Sequence, residues 1–501
     1  MLGNDTCTDK NCRYKAANDM SECMYDTAFQ ESLTGAPLGG PDNRFSANAM
    51  TINLKLLTAR WVLPISAPAI EDAAVVIGDG RIKTVCKKSE LASFYDETAL
   101  RELKWTASDY GNAVITPGLI NLHTHLEYSL LHELYSEQDE SMFDWLPKLV
   151  GASWSWTPDK WKKSILYGAE RSLAAGTTCI VDNSFTGQSA RILAGMGLRA
   201  VVGLELFGQD ETLAESAWSR WLEKYNKVRY DADPLLQDAI EHGLMNITVA
   251  PHAPYTVAPA LWKKAAAWAS SNKQPVLAHV AESVAECAWV RNYDETIDRY
   301  LRHMREMQVK AGIYKSADAP ATPWRSKGRS PVQMLADNEL LNDRLVAAHL
   351  VQVDEKDLRL LKQGKVKIVH CPRSNKHLSH GLAPLKGFKN IGASVGLGTD
   401  SLASCPDLSM LQEAKAAIRM HAEAPDHYPL GAEEALRMIT WRAANVIGMQ
   451  NQLGTIEKEK LADLAVFQFD QSVENNVPHE TLFGKEPQAV AAYVQGRLVS
   501  A

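Results

Sequence analysis

The sequence predicts an α/β fold: a (β/α)8 TIM-like barrel with a small β-sandwich domain built from both chain ends. Three observations predict it. Eight short β-rich runs alternate with helical stretches between residues 114 and 452. A β-rich texture opens at residue 51 and returns near residue 453, flanking that alternation. Histidines and carboxylates stand at the carboxyl ends of six of the eight runs, where a barrel gathers its reactive groups.

Residues 1–50 are rich in Asn, Asp, Ser, Gly and Pro and carry no sustained hydrophobic period. They read as a poorly ordered extension outside the main core. Its Cys7, Cys12 and Cys23 lack the spacing of a zinc ribbon and read as thiols in a loose segment. The runs TINLKLLTARWVLP and AAVVIGDGRIKTVC belong to a composite β domain, residues 51–113 plus 453–501. LADLAVFQFD and AVAAYVQGRLV complete it from the far end.

The barrel spans 114–452. Its strands are VITPGLINLHTH, TTCIVDNSF, LRAVVGLELFG, NITVAPHAPYTV, QPVLAHVAE, RLVAAHLVQVD, VKIVHCPRSN and ASVGLGTDS. Of the intervening helices, WKKSILYGAERSLAAG repeats Trp161, Ile165, Ala169 and Leu173 every four residues and ends on Gly176. Residues 290–331, charged and Pro-containing, read as a long loop carrying a helix. A doubly wound open sheet is the alternative, but no G-x-G-x-x-G follows an early strand.

Composition excludes several classes. With 501 residues, 46% hydrophobic and 23% charged, the chain is neither disordered throughout nor collagen-like nor a coiled coil. Lys and Arg total 53 against 60 Asp and Glu, a net charge of −7, so no basic surface recommends nucleic acid or anionic lipid. No stretch approaches the ~18–20 apolar residues of a membrane span, and the N-terminus has no apolar signal core. Eight cysteines are too few for a disulfide scaffold. The reading is a soluble, cytoplasmic protein.

The strand ends supply the chemistry. The first closes on His123-Thr124-His125, and residues two apart on a strand face the same way. The fourth offers His252, the fifth His279 and Glu282, the sixth His349, the seventh His370 and the eighth Asp400. Imidazoles with a carboxylate and no paired cysteines suit a catalytic zinc or related divalent ion. The best ligand set is His123, His125, His279 and Asp400. Glu282, three residues past a ligand, can reach water at the ion as a proton shuttle. His349 is left beside the same water as a second base.

With these residues in place, PGLINLHTHLE, APHAPYTV, HVAE, AAHLVQVDE, HCPRSN and GLGTDS resemble the amidohydrolase superfamily. The likeness is to its cytosine, guanine and S-adenosylhomocysteine deaminase-like branch, and within it most to aminodeoxyfutalosine deaminase-like proteins. It runs from about residue 51 to the C-terminus. The resemblance implies the same four ligands, Glu282 as acid/base, and His349 with Asp400 taking the water's proton. It places His252 against substrate. A Glu-Trp-Leu that grips ribose in nucleoside deaminases is matched by Asp144-Trp145-Leu146, one methylene shorter; the substrate-binding candidates are His252, Glu282, Asp144 and Trp145.

The fourth strand lacks the Lys that bridges two ions in binuclear relatives, so one ion per chain is expected. Zn2+ is the first choice, with Fe2+ or Mn2+ as alternatives. The implied activity is release of ammonia from an amino-substituted N-heterocycle: a purine base, a nucleoside or an aminofutalosine-like compound. The alternatives are removal of another leaving group from a triazine-like ring, as in a chlorohydrolase, and a non-catalytic metal-binding homologue. A homo-oligomer, dimer or larger, is expected.

Several residues receive plainer readings. Cys371 packs at a strand end beside pocket-shaping Ser374 and Asn375. Asp182 and Glu205 are structural ion-pair partners, and Glu127 braces a ligand histidine or touches substrate. Trp145, Trp154 and Trp156 serve packing or stack on a planar base. His377 and His380 are solvated.

Overall fold

The computed structural model describes residues 54–95, 105–292, 294–310, 328–424, 428–469, 478–484 and 487–500. The expected extension 1–50 with its cysteines, and part of the 290–331 insertion, lie outside the described residues. Chain order opens with β1 (Leu54–Val62), β2 (Ile70–Gly78), β3 (Arg81–Lys87), β4 (Trp105–Asp109) and β5 (Ala113–Pro117). The barrel strands follow: β6 (Leu119–Thr124), β7 (Thr177–Ser184), β8 (Arg199–Leu206), β9 (Met245–Pro251), β10 (Val276–Val280), β11 (Leu345–His349), β12 (Lys367–His370) and β13 (Val395–Leu397). The chain returns through β14 (Leu464–Gln468), β15 (Gln488–Val494) and β16 (Arg497–Ser500).

The strands of the two ends pair in one continuous mixed sheet, ordered β16-β15-β14-β5-β1-β2-β3, with β4 alongside β1. β5 makes it continuous: it runs parallel to β1 at Trp61 and Val62 and antiparallel to β14 over its whole length. The run read as one strand, VITPGLINLHTH, is therefore two. The boundary expected between residues 113 and 114 falls inside β5, and the barrel begins at β6. The break is at Gly118, where a Cβ would lie 2.0 Å from Thr178 Oγ1. Only glycine lets the chain cross there from sheet to barrel. A buried ion pair, Arg199 Nε to Asp463 Oδ2 at 2.8 Å, joins β8 to the segment entering β14.

β6 to β13 lie side by side in chain order, and every pairing among them is parallel. The ring closes where Thr124 bridges to Asp400 and the Asp400 amide donates to the His123 carbonyl at 2.9 Å. Adjacent residues on these strands separate into two cores, as the pleat requires. Leu122, Val181, Val201, Leu277, Val346 and Val369 form one cluster, sealed by the helix Trp441–Val446. Ile180, Val202, Ile247, Ala278 and Ala347 join the larger core that includes helix side chains such as Trp221, Trp262 and Trp289. The expected first long helix is Pro158–Ala174; Thr157 caps it by accepting from the Lys160 amide, and it buries Ile165, Ala169 and Leu173. Among the described residues no helix is long and apolar enough to cross a membrane.

Candidate metal centre and active site

His123, His125, His279 and Asp400 converge. His123 Nε2 and His125 Nε2 lie 3.4 and 3.6 Å from Asp400 Oδ1, and His125 Nε2 lies 3.1 Å from His279 Nε2. His349 joins from β11, its ring centroid 5.4 Å from that of His123. The donor atoms of His123, His279 and His349 lie within 4.8 Å of one another, as do those of His123, His125 and Asp400.

Hydrogen bonds behind the cluster decide which atoms face it. His279 Nδ1 is 2.8 Å from the His252 carbonyl, which can only accept, so the proton sits on Nδ1 and Nε2 offers a lone pair. His349 Nδ1 is likewise 2.8 Å from Asn375 Oδ1. Asp400 Oδ2 accepts from Ser374 Oγ at 2.6 Å and Ser404 Oγ at 3.0 Å, leaving Oδ1 to the histidines. Burial pushes the His125 imidazole down to about 3 and His279 well below its usual range, each reinforced by neighbouring histidines. Burial opposes ionisation of Asp400, yet His123 and His125 hold it well below the carboxylate range. Imidazoles gathered around a carboxylate, with His123 Nε2 buried and without a hydrogen bond, are the donor set a divalent cation requires. The residues fit a metal.

The backbone at the strand ends is unusual. Ala281, His349 and Asp400 all have positive φ, at 52°, 73° and 63°. Non-glycine residues hold that conformation only where surrounding structure enforces it, and such strain gathers at functional sites. Glu282 follows Ala281, and its amide donates to Glu286 Oε2 at 2.8 Å. Its Oε1 lies 3.5 Å from His349 Nε2 and 3.2 Å from His380 Nε2. Burial works against its charge, but the two imidazoles hold its carboxyl down to about 2.

A cavity of about 690 Å³ opens above these groups. His252, Trp145, Trp161, Phe207, Tyr300 and Met304 are among its walls. His252 Nδ1 pairs with Thr256 Oγ1 at 2.9 Å, its ring tilted against Phe207 at 4.8 Å between centroids, and burial pushes its pKa down to about 4. Tyr300 and Met304 come from the helix Glu295–Lys310, so the expected helix in the 290–331 insertion forms part of the cavity wall.

Several expectations need correction. Asp144 is exposed on the helix Met142–Ser153 and is not part of the cavity wall. Met142, Trp145, Leu146 and Leu149 form that helix's buried stripe, and Asp144 falls off it. Trp145 does line the cavity, its indole N–H donating to the Ala403 carbonyl at 3.0 Å. His370 does not join the cluster: its Nε2 is 3.1 Å from His421 Nε2 on the helix Met410–Glu423. His377 and His380 are buried, not solvated, because the chain after β12 turns into a short helix, Pro372–His377, packed onto the site.

Glu127 accepts from Ser184 Oγ and the Phe185 and Thr186 amides, fastening the loop after β7. Asp182 accepts from Thr124 Oγ1 and the Leu126 amide, so it braces the turn carrying His125, and it makes no ion pair among the described residues. Glu205 lies 3.7 Å from His125 Nδ1 and lines the cavity. Sequence reasoning missed Glu286 and His380. The first has a sequence signal, standing four residues past Glu282 on the helix Val284–Arg291; the second has none. Cys371 is buried and its thiol pushed well up by burial, which agrees with packing.

Comparison with known proteins identifies the family. The family model described as "Amidohydrolase family" matches residues 114–499. A 5-methylthioadenosine/S-adenosylhomocysteine deaminase of Syntrophobacter fumaroxidans is 30% identical over 460 residues, covering 90% of this chain and 93% of its own. The crystal structure of an adenosine deaminase from Xanthomonas campestris with bound zinc superimposes with a TM-score of 0.71 at 25% identity, covering 89% of this chain and 92% of that one. The aminofutalosine deaminase of Helicobacter pylori, in complex with methylthio-coformycin, shares the fold with a TM-score of 0.70 at 22% identity, over 89% of this chain and 99% of its own. By its matched length and its relatives, the chain belongs to the amidohydrolase family.

Proposed function

We propose that the protein is a metal-dependent hydrolytic deaminase that releases ammonia from an amino-substituted N-heterocycle, a purine base, nucleoside or aminofutalosine-like compound. His123, His125, His279 and Asp400 hold one divalent ion, zinc in this reading. The carrying observation is the approach of Glu282 Oε1 and His349 Nε2, 3.5 Å apart, beside a converging set of imidazoles and one carboxylate. Metal binding alone requires neither Glu282 nor His349, and this argues against a non-catalytic homologue. The relative from Syntrophobacter fumaroxidans and the zinc-bound Xanthomonas campestris structure support the same reaction class.

When bound, the ion lowers the pKa of water from 15.7 toward ~7, supplying a nucleophile at neutral pH. The chain's residues then handle protons and position. Glu282 takes a proton from the attacking water and delivers it to the ring nitrogen next to the amine-bearing carbon. His349 Nε2 and Asp400 Oδ1 receive the second proton and return it to the departing amine. A C–O bond forms, the exocyclic C–N bond breaks, and ammonia carries away one of the two water protons. His252 contacts the substrate from just beyond β9, and the aromatic walls exclude water around the ring.

Ammonia release from a panel of purines, nucleosides, aminofutalosine, pyrimidines and triazines, with metal analysis of the same sample, tests the reading. Deamination of a purine-type compound is expected. Chloride or alkylamine release from triazines without ammonia from any purine would replace it with the chlorohydrolase reading.

A further inference from the structure

His380 approaches the chemistry from behind Glu282. It is not part of the cavity wall, so it does not meet a substrate directly. Its side chain is 2% exposed, and its Nε2 lies 3.2 Å from Glu282 Oε1. Among the described residues that buried nitrogen makes no hydrogen bond, and the Glu282 carboxylate is the group it faces.

The backbone is built to hold it there. The His380 amide donates to the Asn375 carbonyl at 2.8 Å, and its own carbonyl accepts from Gln352 Nε2 at 2.6 Å. His380 is thus tied both to the helix after β12 and to the loop after β11. Ser379 before it and Gly381 after it have φ of 58° and 93°. A left-handed serine is a strained way to turn a corner, and here it turns the imidazole inward.

The tautomers make the contact specific. Two imidazoles flank Glu282 Oε1, but only one can donate to it. His349 has its proton on Nδ1, committed to Asn375 Oδ1 at 2.8 Å, so its neutral form turns a lone pair toward the carboxylate. No acceptor holds a proton on His380 Nδ1 among the described residues, so its Nε2 is free to carry one. With His349 neutral, His380 is the imidazole placed to donate to Oε1.

We propose that His380 is a positioning residue: its Nε2–H anchors Glu282 Oε1, and so leaves Oε2 aimed at the water and the ring nitrogen. A shuttle that must serve two atoms in turn works only if its carboxylate stays within ~0.5 Å of the productive position, which takes a supporting partner with its own anchored backbone. This rests on Glu282 being the proton shuttle of the reaction proposed above.

The test compares His380→Gln, which keeps a donor, with His380→Phe, which fills the space without one, both in the full metal-loaded chain. His380→Ala replaces the Phe variant should the ring prevent folding. On a compound that wild type deaminates, His380→Phe lowers kcat roughly 10- to 100-fold, the usual loss for an outer partner of a catalytic group. KM stays within about twofold and metal content is unchanged. His380→Gln recovers most of kcat. Crystal structures of the two variants show Glu282 displaced in the Phe variant and in place in the Gln variant. Wild-type kcat in His380→Phe, or an unmoved Glu282 in it, overturns the proposal; so does a Gln variant as impaired as the Phe variant. If wild type deaminates nothing, the deaminase reading fails separately, and the position of Glu282 in the variants still decides whether His380 anchors it.

Discussion

Ser374 Oγ donates to Asp400 Oδ2 at 2.6 Å, and that bond determines which carboxylate oxygen faces the histidines. Ser374 lies on the helix that follows β12, Asp400 just beyond β13, so the contact ties two neighbouring barrel loops at the proposed metal centre. Ser404 adds a second hydroxyl to the same oxygen at 3.0 Å. Removing such an outer partner typically loosens a metal site ~10- to 100-fold. Ser374→Ala should therefore weaken retention of the ion within that range, and added zinc should restore ammonia release. Unchanged affinity, measured by competition with a chromophoric chelator, would mean that Ser404 alone orients the carboxylate.

A second prediction concerns Asp144. It is exposed, off the buried stripe of its helix and outside the cavity wall. Asp144→Ala should leave KM and kcat near wild type for nucleosides and free bases alike, and stability within about 0.5 kcal/mol, as for an ordinary surface change. Trp145→Ala is the contrast. It removes a buried indole and its bond to Ala403, so it should destabilise by about 3–5 kcal/mol, read as a lowered Tm. Loss of nucleoside activity in Asp144→Ala would return that residue to the ribose.

Much of the barrel was legible because each of its strands is a short apolar run and the alternation with helices leaves few topologies. The convergence of the candidate ligands was legible for the same reason: a strand end has a direction, and His123, His125, His279 and Asp400 need only that direction to meet. What failed lacks such a rule. VITPGLINLHTH is apolar throughout, and the crossing at Gly118 shows only when Thr178 is seen against it. KHLSHG is a polar stretch without period, so nothing in it says that His380 folds back under Glu282. His370 stands at a strand end like the candidate ligands, yet its ring meets His421 on the helix Met410–Glu423, a pairing that depends on tertiary packing. Asp144 was the avoidable error: the spacing of Met142, Trp145, Leu146 and Leu149 already turned it outward.

The last prediction separates the chemistry from the metal. Four donor atoms converge, β9 contributes no Lys to bridge a second ion, and Glu282 is engaged by imidazoles instead of standing among the ligands. About one tightly held divalent ion per chain is expected. Glu282→Gln keeps the shape and removes the titrating oxygen, so metal content should stay near wild type while kcat falls at least ~100-fold, the lower end for general acid–base assistance. His279→Ala should lose metal and activity together, because three ligands hold the ion less well than four. Metal analysis and ammonia release on the same preparations check both. Two ions per loaded chain would overturn the mononuclear site. An emptied Glu282→Gln would make Glu282 a ligand, and a Glu282→Gln that kept most of its activity would shift the proton transfer to His349.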